Sequence, residues 1–120
     1  MKKILISGLA AAMMMGGSAY AVTSSVSISS TSSGVDGNII SADYGTIQSQ
    51  GTNNASSTNV LWSELYQSIT GPDTRVGGVA LSPGATQSFS NSVAAGNFYH
   101  HLDPDGAYAT GCNGSGYSVY

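Results

Sequence analysis

His100-His101, followed closely by Asp103 and Asp105, is where imidazole and carboxylate groups crowd together in this chain. Neutral imidazole nitrogen and carboxylate oxygen are ligands that a borderline divalent ion such as zinc accepts. In an extended segment successive side chains leave on opposite faces, so the two histidines do not easily share one ion. His101 and Asp103 would share a face, but the third ligand would have to come from elsewhere, and the sequence does not supply it. Asp103-Pro104-Asp105-Gly106 begins like a calcium loop, yet the later oxygen ligands and the bidentate Glu are missing. Pro-Asp-Gly is a tight-turn sequence without any ion. The favoured readings are surface imidazole–carboxylate pairing and a plain turn. No cofactor is expected, with His101, Asp103 and Asp105 as the residues that would hold a metal if one bound.

Aromatic residues offer a second kind of chemistry. Trp62, Tyr66, Tyr99, Tyr108, Tyr117 and Tyr120 can stack on sugar rings, or can fill a core short of Leu, Ile and Phe. Trp62, Tyr66, Tyr99 and Tyr108 are taken as the ligand-binding candidates. Catalysis finds little support. There is no Gly-x-Ser-x-Gly elbow, the serines lack a clear His/Asp partnership, and the carboxylates are scattered. The glycine-rich run Gly111–Gly116 has no Lys to cradle a phosphate. No catalytic residue is assigned, and the chain is read as a non-enzyme.

Cys112 is the only cysteine, which excludes an intrachain disulfide. Its glycine-rich surroundings read as a flexible, exposed loop. An incidental thiol is the favoured reading, and an intermolecular disulfide is the alternative.

The elements that must position these groups begin after an export signal. Lys2 and Lys3, the apolar run Ile4–Met15 and Ala19-Tyr20-Ala21 have the grammar of a bacterial signal peptide over 1–21. No apolar run reaches the ~20 residues of a membrane span, and no Cys stands directly after the cut to carry a lipid. Past the cut, Arg75 is the one base against Asp36, Asp43, Glu64, Asp73, Asp103 and Asp105. Such a chain cannot neutralise a run of phosphates, so neither nucleic acid nor a membrane surface is expected as a partner.

Residues 22–59 are rich in Ser, Thr and Asn and weakly specified, whereas 60–120 are better specified, with 22–120 read as one domain. Val26 and Ile28 alternate with polar residues as in a half-buried strand. Gly34-Val35-Asp36-Gly37 reads as a turn, 38–50 as one broken strand and 50–59 as a loop. Gln48–Asn54 looks like a single curlin repeat, whose Gln and Asn ladders stack in cross-β assemblies. Val60–Ile69 fits helix or strand, and its β-like surroundings favour strand. Beyond it, strands alternate with turns at Ser82-Pro83-Gly84, Ala94–Asn97 and Asp103–Gly106, and 107–110 and 117–120 read as short terminal strands.

Within Leu81–Gly111, the residues Gly84, Phe89, Val93, Ala95, Gly96, Tyr99, Leu102 and Gly106 occupy places comparable to the hairpin pattern of bacterial pre-peptidase C-terminal domains. The segment resembles those secreted β-sandwich modules, and the resemblance implies a sandwich fold and an accessory rather than catalytic role. The expectation is therefore an all-β chain folded as a small antiparallel β-sandwich, jelly-roll or Ig-like. It would be secreted or periplasmic and serve as a non-catalytic binding or structural module, with an extracellular glycan or protein, or a second copy, as partner. A self-assembling surface or matrix subunit and a secreted toxin or inhibitor are the alternatives. The absence of Lys after Lys3 leaves edge strands without their usual guard against pairing.

Overall fold

Ser, Thr, Val and aromatic residues in two-residue alternation favour extended backbone. In the computed structural model, which describes residues 21–120, they form nine strands. The signal peptide expected over 1–21 lies, apart from Ala21, outside the described residues. The strands are β1 (Thr23–Ile28), β2 (Val35–Asp36), β3 (Ile40–Ala42), β4 (Gly45–Asn53), β5 (Leu61–Ser68), β6 (Thr74–Leu81), β7 (Thr86–Val93), β8 (Gly96–Pro104) and β9 (Gly114–Val119). Among the described residues there is no helix, so none could cross a membrane.

Two antiparallel sheets result. One runs β1-β9-β4-β7; the other runs β2-β8-β5-β6, with β3 also paired to β8. Strands from the first half of the chain thus lie between and beside strands from the second. Val60–Ile69 is a strand, as favoured. Ser82–Ala85 closes a turn through Ala85 N–H to Ser82 O at 2.9 Å, with Gly84 at φ 90° as a type II turn demands.

Several local readings are corrected. Val35-Asp36 is no turn but a two-residue strand against Leu102 and His101. Residues 50–53 are not loop: β4 continues through Asn53, paired to β9 on one side and, through Thr52, to β7 on the other. Residues 107–110 form a turn rather than a strand, and the last strand starts at Gly114 rather than Tyr117. The hairpin pattern read within Leu81–Gly111 is also different. β7 and β8 belong to opposite sheets, so Ala94-Ala95 carries the chain across the core instead of reversing it within one sheet.

The core has three parts. Ile28, Leu61, Leu81, Leu102 and Cys112 form one apolar cluster; Ile40, Ala42, Ile47, Leu65 and Phe98 form the other. Full burial of each Leu or Phe contributes roughly 1.5–3 kcal/mol. A buried polar belt separates them, because the strands that supply both clusters carry a small or polar residue midway. On β5 the order is Leu61, Ser63, Leu65, and on β8 it is Phe98, His100, Leu102. His100 Nε2 meets Ser63 Oγ at 2.7 Å, Nδ1 meets Ser118 Oγ at 2.8 Å, and Ser118 Oγ meets Ser49 Oγ at 2.7 Å. Each ring nitrogen has a hydroxyl partner, so a neutral imidazole is satisfied without a charge. Burial, and then the neighbouring His101, hold its pKa down to about 3. Where β2 and β3 leave a gap along β8, Ser24 Oγ accepts the His100 N–H and Gly37 N–H reaches the His100 carbonyl.

Candidate functional site

The inward alternation of β5 and β8 fixes what their other face presents. The pairs Trp62–Asp103, Glu64–His101 and Tyr66–Tyr99 stand directly across from one another on the outer face of the five-stranded sheet. β2 adds Asp36 beside His101. β6 adds Arg75, and it does so through an irregularity. Register shifts between Leu65 and Tyr66, so Leu65 faces Gly77 while Tyr66 faces Arg75, and Val76 is the extra residue. Strict alternation from Leu81 through Val79 and Gly77 would turn Arg75 into the core. The bulge reverses that parity, sending Val76 into the second apolar cluster and Arg75 outward.

Arg75 Nε donates to Glu64 Oε2 at 2.6 Å, and its guanidinium carbon lies 5.7 Å from the Trp62 ring centroid. Glu64 is 7% exposed, so this partner is what offsets the desolvation of its charge. Gly78 makes room for the arrangement: a Cβ there would meet Arg75 Nη2 at 2.8 Å and Glu64 Cγ at 2.9 Å. At the other end, Trp62 Nε1 donates to Asp105 Oδ1 at 3.1 Å. The indole is therefore held from two sides.

Tyr66 and Tyr99 stack with centroids 5.9 Å apart and planes 16° off parallel, and His101 meets Tyr66 edge-on at 5.2 Å. Tyr99 donates its hydroxyl to Asp73 Oδ2 at 2.6 Å. That bond, together with one from the Ile69 N–H, lowers the Asp73 pKa; burial and the same Asp73 contact raise that of Tyr99. His101 Nδ1 is bonded to Asp36 Oδ1 at 2.5 Å. Trp62, Glu64, Tyr66, Arg75, Asp103 and Asp105 line an open trough, together with Pro104, Gly106 and Ala107.

The structure thus brings together Trp62, Tyr66 and Tyr99 of the four aromatic candidates, with Tyr99 largely covered. Tyr108 is set apart, 94% exposed in the turn after β8 with φ 59° and outside the trough. Of the metal candidates, His101 and Asp103 are adjacent on the face, while Asp105 is engaged by Trp62. The third group near them is Glu64, whose ligand atoms, with those of His101 and Asp103, all lie within 4.8 Å of one another. Glu64 escaped the sequence reading because cross-strand register, not spacing, places it there.

Cys112 contradicts its expected exposure. It is fully buried in the first apolar cluster, its Sγ 3.3 Å from the Asn59 carbonyl oxygen, and burial raises its pKa. In this fold the thiol is out of reach of another chain. The Ser63–His100 contact has nucleophile–base distance, but both residues are fully buried and a hydroxyl, not a carboxylate, sits on Nδ1. Substrate has no access to it. A second shallow trough over β1 and β9 is lined by Ser25, Val26, Ser27, Ser115, Gly116 and Tyr117 and carries no charge. No protein-family model matches this chain, and no curated protein matches it.

Proposed function

We propose that the protein is a small exported β-sandwich of jelly-roll or Ig-like topology, acting outside the bacterial inner membrane as a non-catalytic carbohydrate-binding module. The observation that carries this reading is the outer face of the five-stranded sheet, where Trp62 and the Tyr66–Tyr99 stack are interleaved with Glu64, Arg75, His101 and Asp103. Sugar rings offer apolar C–H faces for aromatic stacking and hydroxyl groups for planar charged partners, and this surface supplies both kinds of group side by side. Three carboxylates line the trough against one guanidinium, so a neutral or amino-bearing glycan suits it and a polyanionic one does not. The opposite sheet makes the contrast: its outer face shows Gln48, Gln50, Ser88, Ser90, Ser115 and Tyr117, without charge. Affinity electrophoresis through soluble polysaccharides tests the reading. Retardation that Trp62→Ala abolishes supports it, and free migration through every polysaccharide overturns it.

A second reading, a self-assembling surface subunit, is favoured by β7. This eight-residue edge strand, Thr86–Val93, pairs only with β4 and carries no charged residue to deter a further strand. It requires a mass that grows with concentration on sizing, and a constant monomer mass in reductant and without would remove it.

A further inference from the structure

We propose that Glu64, His101 and Asp103 form a binding site for one divalent transition-metal ion of the zinc class. The three residues come from two neighbouring strands, and their ligand atoms lie within 4.8 Å of one another, so that small side-chain rotations would bring all three onto one ion. The free valences point the same way. Asp36 takes up His101 Nδ1, which leaves Nε2 with its lone pair for the metal, the arrangement in which a carboxylate orients a ligating imidazole. Arg75 occupies Glu64 Oε2 and leaves the other oxygen of that carboxylate free. The two ion pairs of the face, Arg75–Glu64 and Asp36–His101, leave Asp103 out. Asp103 is half-buried beside them. A dication is the partner this carboxylate lacks.

The donor set selects the ion. One imidazole with two carboxylates suits zinc and its neighbours better than calcium or magnesium, which prefer oxygen throughout. Three protein ligands leave a coordination position open on the solvent side, in the trough beside Trp62, where an exogenous oxygen can bind. The site stands on its own geometry and not on carbohydrate binding, so either can fail while the other holds.

Titration of zinc chloride into the purified, chelator-stripped protein, followed by calorimetry with no glycan present, tests the site. One equivalent is expected to bind, with affinity reduced at least about tenfold by His101→Ala and by Asp103→Asn. Cys112→Ser should bind as the parent does. Cobalt should give a visible d–d spectrum that His101→Ala alters, which a merely structural role for His101 would not produce. Circular dichroism of each variant confirms that it is folded. Absence of binding up to about 1 mM zinc, or binding that survives His101→Ala and Asp103→Asn unchanged, overturns the proposal.

Discussion

His100 and His101 are neighbours in the chain and face opposite sides of one sheet. The first sits fully buried between Ser63 and Ser118 in the polar belt of the core. The second stands on the outer face, bonded to Asp36 and opposite Glu64. β8 therefore carries the internal framework and the candidate site on alternate residues, and the two can be perturbed separately.

Removing the imidazole of His100 should cost about 2–4 kcal/mol, since it opens a cavity, leaves the Ser63 hydroxyl without its partner and leaves Ser118 with Ser49 alone. His101→Ala should cost about 1 kcal/mol or less, because the pair with the exposed Asp36 contributes little and the ring otherwise loses an edge contact with Tyr66. Urea unfolding of both variants checks this. Equal losses would mean that the buried belt is not the structural element described.

His100 also sets a pH dependence. Its folded pKa, about 3, lies below the ordinary 6.5, so the unfolded chain takes up a proton that the folded chain refuses. Its contribution is fully present above pH 6.5 and is lost as pH falls toward 3, at about 1.4 kcal/mol per pH unit. Asp103 works in the opposite sense: with its folded pKa raised, stability rises as pH falls through that value. Asp73, lowered, adds to the loss on acidification. Urea midpoints at neutral and mildly acidic pH should fall steeply in the parent and much less in His100→Gln.

Glycines make the belt fit. A Cβ at Gly116 would run into the His100 ring, and one at Gly51 into Ser63 and Leu81. Gly116→Ala and Gly51→Ala should each cost at least about 1–3 kcal/mol by overpacking. Gly34→Ala, where the nearest atom would be His101 Cε1 at an ordinary 3.7 Å, should be close to neutral. Thermal melts of the three variants give the order.

The buried thiol yields a kinetic test. Cys112 should react with an aromatic disulfide reagent only as fast as the protein opens, and at full speed in denaturant. Prompt labelling of the folded protein would return the residue to an exposed loop.

Much of the all-β architecture is legible in the sequence because strand alternation and turn residues are local. The two faces of β8 follow from His100-His101-Leu102-Asp103, and the Pro83-Gly84 turn from its two residues. β4 was legible only in part, for its inward positions are Ser49, Gly51 and Asn53 instead of apolar residues. Gly51 is small because Ser63 and Leu81 from the facing sheet fill the space, and Ser49 and Asn53 are polar because they bond Ser118 and the Asn59 and Leu81 carbonyls, conditions no local pattern encodes. The same holds for the site. Trp62, Tyr66 and Tyr99 could be named as candidates, but their alignment depends on the β5–β8 register, and Arg75 reaches Glu64 only through the bulge at Val76. Cys112 misled because its glycine neighbours suggest mobility, whereas the chain there is tied down by Thr58 N–H to the Gly111 carbonyl and Gly111 N–H to the Ser30 carbonyl.

The proposed carbohydrate-binding surface is the outer face of the five-stranded sheet. Its most direct test is Trp62 fluorescence, combined with affinity electrophoresis, over a panel of neutral and amino-bearing soluble polysaccharides. At least one should retard the parent protein and shift its emission, with affinity falling about tenfold (~1.4 kcal/mol) in Tyr66→Ala and retardation lost in Trp62→Ala. Gln50→Ala, on the opposite sheet, should behave as the parent. No retardation by any polysaccharide, or retardation that persists in the Trp62→Ala/Tyr66→Ala double variant, would contradict it.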